Sequence, residues 1–163
     1  MKSTWLAAFA YIATLIAVTP AASSDEKDVL DSAIALKHHT IFVTAVREAG
    51  LTDPLREKGP YTIFAPTDAA FRKLGDDEVR ELVKDKERLR KLVLNHVAEG
   101  RWTSADLLKQ EDKQVKTLAG VSFKYRFTNG AFESIGDALV SKADIKCTNG
   151  VIHAIDTVLM PAK

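Results

Sequence analysis

Four histidines and a single cysteine are the side chains of this sequence best suited to proton transfer, nucleophilic attack or metal binding. His38 and His39 are adjacent and could ligate a metal together. Nothing near them supplies spaced partners, so the pair reads as a solvated helix entrance. His96 shares helical spacing with Leu89, Leu92, Val93 and Val97, which points it at a core. His153 and Asp156 lie in the apolar run from Val151 to Met160. They face opposite sides of a strand, and each needs a hydrogen-bond partner if buried. A hydrolase would have only histidine–carboxylate proximity to work with. There is no G-x-S-x-G elbow, no H-E-x-x-H helix, no phosphate-cradling glycine loop and no cysteine pair. The sequence therefore reads as a non-enzyme with no catalytic residue, metal ligand or cofactor to assign. Cys147 reads as a small buried hydrophobe.

The elements that must hold these residues begin after an N-terminal leader. Lys2 precedes an apolar run from Trp5 to Val18, interrupted by Thr14, and Ala21, Ala22, Ser23 and Ser24 follow. That order is a secretory signal peptide over residues 1–22, cut near Ala22. The run falls short of the roughly 20 residues of a spanning helix, so an uncleaved anchor is the weaker alternative. Residues 23–27 form a short polar lead. Loss of Lys2 alone from 23 basic residues leaves 22, against 22 acidic ones. A neutral mature chain has no electrostatic footprint for nucleic acid or anionic lipid. It contains no N-x-Ser/Thr sequon. One thiol in an exported chain fits a secreted or periplasmic protein with no internal disulfide.

The chain then places helices before strands. Asp28 to Leu36 carries a helical apolar stripe, and a second helix from Thr40 ends at Gly50. Gly59-Pro60 opens a strand over Tyr61 to Phe64, and Pro66 is expected to stop it. Thr67 or Asp68 then caps a helix beginning at Ala69, with Phe64 and Phe71 free to pack into one core. Charged helices follow, the last ending at Gly100, and a short helix runs through Leu108. Strands are expected over Val115–Leu118, Val121–Phe127, Phe132–Ile135, Ala138–Ile145 and Val151–Met160. The strict alternation of Val121, Phe123, Tyr125 and Phe127 and the Asn129-Gly130 hairpin are the clearest β signals. Apolar residues on both faces of the last strand require it to be central and covered on both sides. The order of elements indicates an α+β domain.

Three blocks in this order resemble the fasciclin domain. They are Tyr61 to Phe71, which holds Phe64, Pro66, Thr67, Asp68 and Phe71; Leu92 to Val97; and Thr148 to Pro161, which holds His153 and Asp156. They span one domain over about residues 26–161, most similar to single-domain secreted bacterial-type members. The resemblance implies N-terminal helices packed on a β-wedge or sandwich of antiparallel and mixed strands. It implies a non-catalytic adhesion or protein-interaction module, its partner a cell-surface or extracellular protein or glycan. Some relatives bind carotenoids, so a carrier of a carotenoid- or lipid-like molecule is the second reading, with Phe123, Tyr125, Phe127 and Phe132 lining a groove. Two residue pairs proposed as integrin contacts in animal relatives map to Asn95-His96, where the tyrosine is missing, and to Asp144-Ile145. On this reading Asp144, Ile145, Asn95 and His96 are the candidate partner-binding residues.

Overall fold

The computed structural model describes residues 27–160, so the leader lies outside the described residues. Asp28 starts α1 (Val29–Ala35) by accepting the Leu30 and Asp31 N–H groups at 2.9 and 2.8 Å. It is followed by α2 (Thr40–Glu48) and by α3 (Thr52–Glu57), a short helix with no strong sequence signal. Gly50, at φ 67°, turns the chain out of α2 as a residue without Cβ can. Then come β1 (Tyr61–Pro66), α4 (Asp68–Leu74), α5 (Asp76–Lys84), α6 (Lys86–Asn95) and β2 (Val97–Glu99). The rest is α7 (Ser104–Lys109), β3 (Gln114–Lys116), β4 (Ser122–Thr128), β5 (Ala131–Ile135), β6 (Ala138–Cys147) and β7 (Gly150–Ile155).

The strands form one sheet in the order β2-β1-β7-β6-β5-β4-β3. Only β1 and β7 run parallel, with Phe64 opposite His153; the other neighbours are antiparallel. A bridge between Ala98 and Thr117 brings the two outer strands together and nearly closes the sheet on itself. All of β7 is buried between β1 and β6, as its two apolar faces require. The period of two divides β1 between two cores. Ile63 and Ala65 join α1, α2, α4 and α6 in one core, while Phe64 joins Leu107, Tyr125, Ile135 and Ile155 in the other. Asn129 and Gly130 both have positive φ, 52° and 78°, the backbone of a two-residue hairpin turn.

Several expectations are corrected. Pro66 is the last residue of β1, paired with Ile155, so the strand runs two residues beyond Phe64. The proline N–H is not missed there, because the next ladder bond is made by Thr67, whose N–H donates to the Ile155 carbonyl at 3.0 Å. The long charged helix ends at Asn95, where His96 leaves helical geometry, and Val97 to Glu99 pair with β1. The last strand ends at Ile155; Val158 and Leu159 are buried as irregular chain. His39 is no solvated entrance: it is 3 % exposed, while His38 is exposed. Asp156 lies beyond β7 at the surface. Its Oδ1 accepts the Leu139 N–H at 2.8 Å and its Oδ2 accepts from Lys73 Nζ at 3.1 Å. Burial pushes that carboxyl up, but those hydrogen bonds and one from Thr157 outweigh it and hold it below its ordinary value.

Candidate functional site

The two interior histidines come first, because their ring nitrogens decide whether they can do chemistry. His96 ends α6 with Nδ1 2.8 Å from the Leu92 carbonyl, which can only accept, so Nδ1 carries the proton. Its Nε2 accepts the Leu159 N–H at 2.9 Å. His153 is fixed in the opposite tautomer: Nδ1 accepts the Asp144 N–H at 3.2 Å, and Nε2 donates to the Trp102 carbonyl at 2.8 Å. Both rings are fully buried, His96 edge-on to Phe42 and His153 stacked on Phe64. Burial lowers both pKa values, that of His96 to about 4. Each ring is a neutral strut between backbone segments, with no nitrogen left to exchange a proton with a substrate.

The opening block works in the same way. The Thr67 hydroxyl accepts the Ala70 N–H at 3.2 Å and caps α4. Asp68 turns to the other helix: its carboxylate accepts the Ile41 N–H and the Thr40 hydroxyl, both at 2.8 Å, where α2 has no cap of its own. Phe64 and Phe71 are buried, but in different cores. His39 Nδ1 donates to the Pro66 carbonyl at 3.0 Å, closing the corner, and burial lowers its pKa.

The open flank of β6 is a different kind of place. β5 pairs with β6 only at Ala138 and Leu139, so from Val140 onward β6 has a strand neighbour on the β7 side alone. Two register shifts against β7 fall between Val140 and Lys142 and between Lys142 and Ile145, each placing one extra residue in β6. Asp144 sits in the second bulge at φ 58°. Its Oδ1 accepts the Ser104 N–H at 2.7 Å and its Oδ2 accepts the Ser104 hydroxyl, tying the bulge to the first turn of α7. Lys142 is exposed and Ile145 half-buried. Both line a pocket of about 260 Å³ with Leu36, His38, His39 and Ala154. The bulge thus brings Ile145 and the His38-His39 pair to one opening. Asn95 and His96, at 1 % and 0 % exposure, lie inside the protein where a partner meeting the folded surface does not reach them.

Sequence reasoning missed three polar connections. Asn149 accepts the Val29 N–H at 2.9 Å and donates to the Leu55 carbonyl at 2.7 Å, joining α1 and α3 to the start of β7. Thr103 and Asp106 form a reciprocal capping box at the start of α7, a spacing visible in the sequence. Asp68 reaches a helix whose sequence gives no local hint of it. Cys147 is buried at 3 % exposure, and burial raises its thiol pKa. The rings of Tyr125, Phe127 and Phe132 pack on one another at 5.2–6.0 Å between centroids, filling the space a groove among them would need. Among the described residues, no group of three or more His, Cys, Asp or Glu side chains converges on a metal-sized site.

Fold and site together define a small α+β scaffold whose interior histidines hold backbone together and whose strand β6 lacks a strand neighbour on one side from Val140 onward. The chain belongs to the fasciclin family: the Fasciclin domain model matches residues 37–161. It is 36 % identical over 133 residues to the uncharacterized protein sll1735 of Synechocystis sp., covering 82 % of this chain and 97 % of that one. It is 34 % identical to transforming growth factor-beta-induced protein ig-h3 of Sus scrofa over 75 % of this chain, which spans only 17 % of that larger protein. Immunogenic protein MPB70 of Mycobacterium bovis is 32 % identical over 70 % of this chain and 56 % of its own. Among solved structures, a FAS1 domain pair from the insect cell adhesion molecule fasciclin I matches with a TM-score of 0.69 at 20 % identity, over 83 % of this chain and 51 % of that one. That likeness is one of fold.

Proposed function

We propose that this protein is a non-catalytic adhesion or protein-interaction module that works outside the cytoplasm, secreted or periplasmic. The observation that carries this reading is the open flank of β6, where a doubly bulged strand presents Lys142 and Ile145 beside a pocket. A strand with one side unpaired is a natural place for a partner chain to dock. The Asp144-Ile145 pair lies in this segment, with Asp144 shaping the bulge and Ile145 offering apolar surface. Membership of a family that includes an insect cell adhesion molecule supports the same reading. So does the commitment of both interior histidines to backbone partners. The apolar leader of residues 1–22 supports export, and no helix among the described residues is long and apolar enough to cross a membrane.

The test is capture of cell-envelope proteins on the immobilised protein, comparing wild type with Lys142→Glu. Lys142 is exposed and makes no ion pair among the described residues, so the variant alters surface charge without removing a structural contact. A specific partner retained by wild type and lost by the variant, with melting unchanged, supports the reading. A partner retained equally by both removes β6 from it.

A further inference from the structure

A second surface, on the other side of α7, has the chemistry of a ligand site. Between the end of β2, the C-terminus of α7 and the outer strand β3 lies a cleft of about 520 Å³. This is within the range of roughly 300–1,000 Å³ typical of small-ligand sites. Trp102 lines it, and its indole is fixed: Nε1–H donates to the Glu99 carbonyl at 2.8 Å. Gly100 allows the ring to lie this close to the chain. A Cβ there would stand 3.0 Å from Trp102 Nε1, and its φ of 97° already favours glycine. Around the ring stand Glu99, Gln110, Gln114 and Lys116. Gln114 and Lys116 flank the inward-facing Val115, so they share the exposed face of β3. Among the described residues, the Glu99, Gln114 and Lys116 side chains make no hydrogen bond or ion pair, so their donors and acceptors remain for a ligand. The Gln110 amide is steadied on one side by the Tyr125 hydroxyl, 3.0 Å away.

We propose that this cleft binds a neutral saccharide, with one pyranose ring stacked on Trp102 and its hydroxyls bonded by Glu99, Gln114 and Lys116. The composition selects that chemistry. The Glu99 and Lys116 charges have opposite sign, so the cleft has no net attraction for an anion or a cation. A purely apolar ligand would strip water from several polar groups and return no hydrogen bonds. A sugar satisfies both demands. Its C–H face covers an aromatic ring, and each hydroxyl can donate to a carboxylate or accept from an ammonium. A peptide added as a strand is disfavoured, because the Ala98–Thr117 bridge already joins β2 to the end of β3. The site is separate from the β6 flank, and the proposal stands or falls without it.

The test follows the Trp102 indole N–H signal by NMR while the purified full chain is titrated with cellohexaose, maltohexaose, mannohexaose and chitotetraose in turn. At least one probe is expected to give a saturable shift. The Trp102 variants have no indole N–H at this position, so their binding is read by titration calorimetry with the same probe: Trp102→Ala should abolish it, and Trp102→Phe, which keeps a smaller aromatic face, should retain part of it. Gln114→Ala, at an exposed strand position, should weaken binding about five-fold, the worth of one ordinary hydrogen bond. If Trp102→Ala fails to fold, Gln114→Ala and Lys116→Ala decide: unchanged affinity in both overturns the proposal. It is also overturned if no probe shifts the signal at millimolar concentration, or if an extended peptide produces the shift and the sugars do not. Lys142→Glu should leave the titration unchanged, which keeps this result distinct from partner binding at β6.

Discussion

Both carboxylate oxygens of Asp144 are occupied by Ser104, one by its backbone N–H at 2.7 Å and the other by its hydroxyl. The residue that a family resemblance marks as a contact is therefore also the clamp between the β6 bulge and α7. Replacing it by alanine leaves the Ser104 N–H without its acceptor and removes a charge-assisted bond worth about 1.5–3 kcal/mol. Asp144→Ala should lose stability by about that much in urea unfolding, and Asp144→Asn less, since its side-chain oxygen can still accept from Ser104. It follows that lost partner binding in Asp144→Ala does not by itself identify a contact. A stability unchanged by Asp144→Ala would show that the clamp contributes nothing in solution.

Thr67 and Asp68 are neighbours, yet they serve different helices. Thr67 caps α4 through the Ala70 N–H, while Asp68 caps α2 through Ile41 and Thr40. Thr67→Ala should cost about 1 kcal/mol, the ordinary worth of an N-cap. Asp68→Ala should cost more, about 2 kcal/mol, because it removes a charged acceptor with two donors. Hydrogen exchange separates the two: Thr67→Ala should speed exchange in the first turn of α4, and Asp68→Ala in the first turn of α2. Faster exchange in α4 alone for both variants would contradict the assignment.

The fold was largely legible because its signals are local. The alternation of Val121 to Phe127, the Asn129-Gly130 turn and the apolar faces of β7 each lie within one window of sequence, and each strand formed there. What escaped notice is tertiary. Nothing around His39 reveals that Pro66 offers it a carbonyl, and Asp68 meets α2 only once β1 has turned the chain back. The same holds for the candidate site. Asp144 and Ile145 were visible as residues, but the open flank depends on where β5 stops pairing with β6, and bulges leave no mark in composition. Asn95 and His96 show the converse, since helical spacing revealed that His96 faces inward while burial of Asn95 depends on the tertiary surroundings of α6.

Gly150 offers a test of the parallel pair at the centre of the sheet. It stands opposite Tyr61 in register, and a Cβ at this position would lie 1.9 Å from the Tyr61 carbonyl oxygen. That neighbour is backbone, so relief requires β1 and β7 to move apart. Gly150→Ala should therefore exceed the usual cost of overpacking and destabilise by about 3 kcal/mol or more. Gly130→Ala is a useful comparison, since its Cβ would meet nothing within 4 Å and only its positive φ resists the change. Gly150→Ala should show much the lower urea midpoint of the two. Equal midpoints would mean that β1 and β7 separate easily, and that the buried centre of the sheet is looser than its packing indicates.

The buried histidines set the acid limit of the fold. In the unfolded chain a histidine titrates near 6.5, whereas His96 in the folded state has its pKa lowered to about 4, chiefly by burial. Burial lowers His153 and His39 in the same direction. Below the unfolded value the unfolded chain takes up protons that the native state refuses, so stability falls as pH drops from about 6.5 toward 4. For His96 alone the loss is on the order of 3 kcal/mol across that window. The carboxylates with lowered pKa, Asp106 and Asp156, act only at lower pH, because their unfolded values are already acidic. The geometry explains the refusal: a proton on His96 Nε2 would face the Leu159 N–H, donor against donor. Urea unfolding at pH 7.5, 6.0 and 4.5 should show a small fall over the first interval and a steep one over the second. His96→Asn, though less stable at neutral pH, should show a shallower fall. A wild-type stability flat down to pH 4.5 would mean that these rings accept protons within the folded protein, and the neutral-strut assignment would be lost.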